Sequence, residues 1–178
     1  MPSKSAGPEA VVIEELKENA SEAARAEACE LLLEYGRFVI AQPGAARFCY
    51  GSLETEARDL PRSYQAQGGG CLIARVDRVP AGFVAWRALH PSPQVVRDAW
   101  ELKRLWVRPA ARGLGLGRAL TLVVLERALQ AGRKAIYLDT APQSMAAAHR
   151  LYLEMGFVSC PAYNRNPVDN LAYLVKFL

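Results

Sequence analysis

The feature that most constrains the fold is residues 101–118, where a strand pattern runs into a glycine-rich turn and then into a helix pattern. Residues 101–107 read as a strand, Pro109 ends it, and residues 112–118 read RGLGLGR. A helix that begins in such a turn presents unpaired backbone N–H groups, and its dipole favours negative charge. Glycine also lets a phosphate approach the backbone closely. The stretch therefore predicts an anion-binding loop, here called the glycine loop (residues 112–118), between a strand and a helix.

The spacing of the glycines distinguishes between phosphate-binding motifs. A dinucleotide-binding G-x-G-x-x-G needs a third glycine where Arg118 stands, and a Walker loop needs a Lys-Ser or Lys-Thr pair that is absent. The turn fits [RQ]-x-x-G-x-[GA] through Arg112, Gly115 and Gly117. A second block, residues 148–157, reads A-x-x-L-Y-x-x-x-G-F. Glycines kept only for packing at a helix start are the structural alternative.

The two blocks, with Leu105-x-Val107 before the first, resemble the GNAT superfamily of N-acetyltransferases in order and spacing. The resemblance implies an α/β fold whose mixed, mostly antiparallel central sheet carries helices on both faces. It implies a strand that splays from its neighbour where the pantetheine arm of acetyl-CoA enters, with acetyl-CoA as cosubstrate and no metal. The residues that it assigns to acetyl-CoA are Leu105, Trp106, Val107, Arg112, Gly113, Leu114, Gly115, Leu116, Gly117 and Arg118.

Length and composition predict one domain over residues 1–178, in a protein of the cytoplasm. The chain has a net charge of +4 without a run of basic residues, which does not favour nucleic acid as a partner. Its four cysteines are scattered, as in reduced proteins. No apolar segment has the length of a membrane span, and residues 1–10 lack the apolar core of a signal peptide. We expect those first residues to form a loose terminus.

Hydrophobic periodicity predicts alternating strands and helices. One helix is expected to start near Asn19 and end near Gln42, and another to be capped by Ser144. Residues 43–70 are irregular, with a short helix at 53–60, and form either a surface connection or a cover over the acceptor site. A turn is expected at 77–81. The remaining segments comprise a helix from Leu116 to Gly132 and strands at 11–13, 71–76, 82–89, 99–107, 135–138, 157–160 and 171–177.

The strand at 99–107 has an uneven apolar pattern. Leu105 and Val107 share one face, whereas strict alternation puts Leu102 on the other. One extra residue between Leu102 and Leu105 would bring all three to the same side. The pattern therefore predicts a β-bulge, and the resemblance implies the same splay. A backbone N–H near Trp106 or Val107 is expected to stabilise the oxyanion.

Tyr152 is the candidate general acid, because the resemblance implies that this tyrosine lies beside the sulfur of CoA. A phenol, with a pKa of about 10, can protonate a departing thiolate. The alternative is a core tyrosine, since Tyr152 also fits a buried helical stripe with Met145 and Ala148.

Glu101 is the candidate base or ammonium anchor, on the expectation that partial burial raises its pKa. The alternative is an ion pair with Lys103 or Arg104. His90 is the second choice of base. Positive charge from Arg108, Arg112 and Arg118 is expected to surround the glycine loop and leave the Glu101 end to a cation. The loop at 163–166 is either a solvated connection, which is slightly favoured, or a wall of the acceptor pocket.

The sequence therefore predicts an acetyl-CoA-dependent N-acyltransferase that moves an acetyl group to a primary amine by direct attack in a ternary complex. A small-molecule amine is the expected acceptor. The alternatives are acetylation of a protein lysine or N-terminus, and a sensor that binds acyl-CoA without turnover. A homodimer is the assembly to expect, because twofold dimers are the commonest among soluble chains.

Overall fold

The computed structural model describes residues 10–43 and 50–178, and within them a seven-stranded sheet carries helices on both faces. The strand order is β1-β2-β3-β4-β5-β7-β6, and only β4 and β5 run parallel within the described sheet. The strands are β1 Val11–Glu15, β2 Gly70–Val76, β3 Val79–Leu89, β4 Ala99–Val107, β5 Ala135–Thr140, β6 Val158–Ser159 and β7 Ala172–Phe177. The helices are α1 Glu22–Ile40, α2 Tyr50–Arg58, α3 Arg62–Gln65, α4 Leu116–Gln130 and α5 Ala146–Glu154. The predicted mixed, mostly antiparallel sheet is confirmed.

Both faces of the sheet are buried because the side chains of the central strands alternate between two apolar layers. In β2, Cys71 and Ile73 pack with α1, α2 and α3, while Leu72 and Ala74 pack with α4 and α5. The strands therefore read as continuous apolar runs. In the described part of the chain, no helix combines the length and the apolar composition that crossing a membrane requires.

Two helix starts differ from the sequence predictions. Helix α1 is capped by Ser21, whose hydroxyl accepts the N–H of Ala24 at 3.1 Å, and not by Asn19. The backbone at Ser21 has the extended geometry that a cap needs. Helix α5 starts after Met145 without a side-chain cap, so the cap at Ser144 is wrong. The N–H of Ser144 bonds to the carbonyl of Ala141, which keeps Ser144 within the preceding turn.

The β2–β3 connection is shorter than predicted. Only Asp77 and Arg78 lie outside the ladder, and both have positive φ angles, of 48° and 70°. This is the geometry that a two-residue hairpin turn needs to follow the twist of its strands. Val79 and Pro80, expected in the turn, pair with Val76 and Arg75.

The part of the irregular segment that the structure describes is helical. The expected short helix is confirmed as α2, and α3 follows it. The buried apolar side chains of α2, α3 and the turn between them pack against α1 and the sheet, namely Leu53, Ala57, Leu60 and Tyr64. The predicted loose terminus at residues 1–10 lies outside the described residues except for Ala10, as do residues 44–49.

The sheet opens between β4 and β5. These strands pair only at three positions, Ala99–Ala135, Trp100–Ile136 and Glu101–Tyr137, although both continue beyond them. On its other edge β4 carries a bulge, because Phe83 pairs with Trp106 whereas Ala85 pairs with Lys103. Arg104, with a φ of 61°, is at the bulge. The bulge brings Leu102, Leu105 and Val107 into one apolar layer, as predicted. The bulge and the splay of β4 from β5 are both confirmed.

Candidate active site

A pocket lies where β4 and β5 separate. Its walls come from six parts of the fold: the end of α1, the bulged part of β4, the end of β5, the β5–α5 connection, helix α5 and the loop before β7. The polar side chains of its lining include Tyr35, Lys103, Asp139, Thr140, Tyr152 and Asn166. The divergence of two strands thus creates a cleft inside a closed α/β fold.

The glycine loop enters α4 next to this pocket. Gly113 and Gly115 have φ angles of 86° and 76°, and a Cβ at either position would meet no atom within 4 Å. Gly115 caps α4, so the first N–H groups of the helix have no partner inside it. A Cβ on Gly117 would lie 3.3 Å from Leu151, the neighbour of Tyr152. The loop therefore has open space for an anion and adjoins helix α5.

The expected ring of positive charge around the glycine loop is wrong in part. Arg108 donates to both carboxylate oxygens of Glu34, and Arg118 pairs with Glu154 at 2.7 Å. Arg112 donates to the carbonyl of Val107, and its guanidinium lies 5.2 Å from the ring centre of Trp106. Sequence spacing could not reveal these pairs, because Glu34 and Glu154 are distant in the chain.

The strand residues expected to contact acetyl-CoA point in two directions. Leu105 and Val107 pack on the α4 face, whereas the Trp106 ring lies on the α1 face and donates to Glu34 at 3.0 Å. The N–H of Arg108 bonds to the carbonyl of Ala81 on the β3 side. Backbone alternation then directs the N–H of Val107 towards the opening. The oxyanion contact and the cofactor contacts stay predictions.

Tyr152 is a core residue that also lines the pocket. Its side chain is 4% exposed and packs edge-on against Phe157, with ring centres 5.6 Å apart. Burial raises the pKa of its phenol, and the nearby Tyr35 and Asp139 raise that pKa further. The phenol is therefore protonated at neutral pH, as a proton donor must be.

Glu101 is held by surrounding side chains and is only 1% exposed. Its carboxylate accepts from Arg87 at 2.6 Å, from Tyr163 at 3.0 Å and from Asn164 at 3.2 Å. Burial acts to raise the pKa of Glu101, but the charges of Lys103 and Arg87 and the hydrogen bonds outweigh it and hold the pKa below its ordinary value. The expected rise in the pKa of Glu101 is wrong, because the buried carboxylate lies beside the cations Lys103 and Arg87.

The alternative interpretation of Glu101 is confirmed for one of its two partners. The ammonium of Lys103 lies 3.6 Å from a carboxylate oxygen of Glu101. Arg104 is turned away and forms two contacts of 3.2 Å with Glu56 on α2. The end of β4 that was expected to suit a cation thus carries cations of its own, and the predicted separation of charge along the strand is wrong.

The two secondary candidates have different outcomes. His90 is exposed and does not line the pocket. The loop at 163–166 is not the solvated connection that was slightly favoured, because Tyr163 and Asn164 bind Glu101, and Asn166 lines the pocket. One residue of the loop therefore lines the pocket, and its alternative interpretation, a wall of the acceptor pocket, stays a prediction.

Sequence reasoning missed Asp139, Thr140, Lys103 and Tyr35 as pocket residues. Strand β5 was expected to end at Leu138 and continues through Thr140. The carboxylate of Asp139 accepts from Asn164 at 2.7 Å and from Asn166 at 3.2 Å. The sequence does contain a signal for Asp139 and Thr140, because these two polar residues directly follow the apolar run 135–138. Glu101, Lys103, Asp139 and Asn164 are called the polar cluster below.

Comparison with known proteins places these features in a family context. The model of the acetyltransferase (GNAT) family matches residues 40–157. An uncharacterized N-acetyltransferase of Schizosaccharomyces pombe is 32% identical over 126 residues, which cover 70% of this chain and 74% of that protein. An N-acetylaspartate synthetase of Danio rerio is 28% identical over 135 residues, but the match covers 71% of this chain and only 46% of that protein.

The fold is also found in solved structures. The acetyltransferase YncA of Salmonella typhimurium, determined with its cofactor acetyl-CoA, superposes with a TM-score of 0.64 at 18% identity. The superposition covers 94% of this chain and 93% of YncA. At this identity the likeness establishes the shared fold.

Proposed function

The chain belongs to the acetyltransferase (GNAT) family and is an N-acetyltransferase, and on this premise we propose that it moves the acetyl group of acetyl-CoA to the primary amine of a small molecule. The amine attacks directly in a ternary complex. One observation carries the proposal: the glycine loop and Tyr152 lie on adjoining helices beside the opening between β4 and β5. A phosphate-bearing thioester bound along this opening would meet an anion site at one end and a proton donor at the other.

Two parts of the chain suit acetyl-CoA, the glycine loop at the start of α4 and the unpaired edge of β4. The open space at Gly113 and Gly115 and the free N–H groups of α4 suit a pyrophosphate. The β4 edge after Glu101 has no β5 partner, so its backbone groups are available to the pantetheine amides. When bound, acetyl-CoA supplies the activated acyl carbon.

Tyr152 acts as the general acid in this proposal. The amine nitrogen forms a bond to the acetyl carbon while the carbon–sulfur bond breaks. The acceptor arrives as an ammonium and loses two protons to solvent, one before the attack and one after it. The sulfur takes the phenolic proton of Tyr152, which is then reprotonated from solvent. The phenol carries its proton at neutral pH and lines the pocket, so it can donate as the thiolate forms. A positioned acid of this kind contributes about a hundredfold or more to the rate.

Glu101 is proposed to position the site and not to remove the proton itself. Its oxygens are occupied by Arg87, Tyr163 and Asn164, and its side chain is buried. A base needs a free lone pair within reach of the amine. Glu101 instead fixes the loop before β7 against β4, which sets the shape of the pocket.

A small acceptor is favoured over a protein because the pocket is walled on several sides. The end of α1 and the loop at 166–171 line it opposite the sheet, so an acceptor has to enter a cleft. The Danio rerio relative is named for the acetylation of a small amine, aspartate. Both observations support a small molecule.

The test is a thiol-release assay with acetyl-CoA against a panel of small amines, amino acids and peptides. We expect CoA release with a small amine and the acetylated product by mass spectrometry. Faster turnover of peptides than of every small amine would identify a protein acceptor. Saturable acetyl-CoA binding without CoA release for any amine would identify a sensor and contradict the proposal.

A further inference from the structure

The charged side chains of the pocket are not equally neutralised. Four of them line it: Lys103, Arg104, Asp139 and Asp169. Arg104 is bound by Glu56 through two contacts, and Asp169 is exposed. The remaining two are Lys103 on β4 and Asp139 on β5, the two strands that border the opening. Their partners therefore decide what the pocket can bind.

Lys103 is a buried cation with spare donors. Its side chain is 17% exposed, and its ion pair is with Glu101, at 3.6 Å. That distance is too long for a good hydrogen bond, and Glu101 already accepts from three other side chains. Within residues 10–43 and 50–178, no shorter contact of the Lys103 ammonium is found. Burial, together with the charges of Arg104 and Arg87, lowers its pKa despite the opposing effects of Glu101 and Asp139, although Asp139 is not within ion-pair distance.

Asp139 is an anion that receives amide donors only. Its oxygens accept from Asn164 and Asn166, and among the described residues no cation lies within ion-pair distance of it. Each carboxylate oxygen can accept at least one more hydrogen bond. Next to it on β5, the hydroxyl of Thr140 is buried, lines the same pocket and has no partner in the described part of the chain.

A buried cation and an anion in one cavity, not paired with each other, suit a ligand that carries both opposite charges. Resting on the proposed function, we propose that the acceptor is zwitterionic, an amino acid or a similar small amine that also bears a carboxylate. Asp139 holds its ammonium group until that group loses a proton to solvent, and Lys103 binds its carboxylate. Such a ligand bridges the opening between β4 and β5 beside Tyr152.

The decisive comparison uses wild-type protein and needs no variant. Each amino acid in the thiol-release assay is matched with its carboxamide, which keeps the amine and the side chain but removes the negative charge. We expect kcat/KM to be about tenfold to a hundredfold higher for the acids, the range for a hydrogen bond to a charged group. Equal or higher kcat/KM for the carboxamides would overturn the proposal while leaving the acetyltransferase activity intact.

A variant then assigns the preference to one side chain. Lys103→Met keeps the apolar length of the side chain, and should lower the ratio of kcat/KM for each acid to kcat/KM for its carboxamide to about one. Lys134→Met, at an exposed lysine outside the pocket, is the matched control. If Lys103→Met folds poorly, Lys103→Arg should retain the preference for acids. An undiminished preference in Lys103→Met would contradict the role of Lys103.

The failure of the inference is distinguishable from failure of the proposed function. No CoA release with any amine contradicts both. CoA release with carboxamides or simple alkylamines alone contradicts only the zwitterionic acceptor. Preferred turnover of peptides, whose α-amine has no adjacent carboxylate, also rejects it.

Discussion

The glycine loop and the polar cluster adjoin the same strand, β4, but are built in opposite ways. The loop is continuous in sequence, and its groups are backbone N–H donors held by the start of α4. The polar cluster joins β4, β5 and the loop before β7, and the hydrogen bonds of Asn164 cross up to 63 positions of the chain. The loop has open space around its glycines, whereas Glu101 in the cluster is almost fully buried.

The difference shows that the two sites would recognise their ligands through different parts of the chain, the backbone in the loop and the side chains in the cluster. A backbone site recognises a phosphate through the shape of the chain, so a short motif is enough to identify it. A cluster of paired side chains depends on which residues the fold brings together. The cofactor end is therefore expected to respond to changes in backbone geometry, and the acceptor end to changes in charge.

The largest effect is expected for Gly115→Val, which changes the glycine loop and leaves the polar cluster intact. A side chain there would enter the space proposed for the pyrophosphate, and we expect acetyl-CoA affinity to fall by about a thousandfold, as for the loss of several charge-assisted hydrogen bonds. The acetyl-CoA-dependent rise in melting temperature should disappear. Gly132→Val is the control, because Gly132 also has a positive φ, of 68°, and open space, but ends α4 far from the loop. An unchanged thermal shift in Gly115→Val would move the site elsewhere.

The second prediction concerns Tyr152, which connects the two regions. Tyr152→Phe should keep the packing against Phe157 and the affinity for acetyl-CoA, while kcat falls by about a hundredfold. Tyr64→Phe is the control, since Tyr64 is equally buried but does not line the pocket. Wild-type turnover in Tyr152→Phe with a good acceptor would leave Tyr152 as a core residue only.

The third prediction separates charge from shape in the polar cluster. Glu101→Gln leaves Arg87 and Lys103 without their anion, and should lower the free energy of unfolding by about 2 kcal/mol at neutral pH. Because the folded pKa of Glu101 is lowered, its charge stabilises the fold fully above the ordinary pKa of about 4.3. That stability is lost as the pH falls through the folded pKa, so the variant and the wild type should converge in acid.

Urea unfolding at several pH values measures this convergence, and kinetics test the function of Glu101. Amine KM should rise in Glu101→Gln while the Kd for acetyl-CoA stays unchanged. Glu34→Gln is the control, because Glu34 is also ion-paired and also has a lowered pKa, but contacts Arg108 and Trp106. If Glu101→Gln lost acetyl-CoA affinity and kept its amine kinetics, Glu101 would have no part in the acceptor site.

The smallest effect is expected at the edge of the glycine loop. Arg118 is paired with Glu154, and both side chains are about half exposed, at 45% and 63%. Glu154→Gln frees the guanidinium for phosphate, and should tighten acetyl-CoA binding about twofold to threefold at low salt, as exposed ion pairs are weak. Glu30→Gln, which removes a similarly exposed partner of Arg37, is the control. Weaker binding in Glu154→Gln would show that this pair orders the loop.

The elements of the fold were largely predictable because their signals are local. The periodicity of α4, the bulge in β4 and the glycine loop each depend on neighbouring residues, and the structure contains all of them. Of the partners of Glu101, only the neighbouring Lys103 was predictable, because Arg87 and Tyr163 reach Glu101 through the pairing of β3 with β4 and the position of the loop before β7. Whether burial raises or lowers a carboxyl pKa depends on such partners.

The short parallel ladder between β4 and β5 has a consequence for the lifetime of the protein in a cell. Its three pairs leave backbone groups along both strands without a ladder partner, a deficit that lowers the stability of the free chain. A ligand bound there compensates for it, and the folded fraction then rises with the concentration of that ligand. Proteases remove the unfolded fraction. Under the proposed function, the abundance of this chain would therefore rise with the supply of acetyl-CoA.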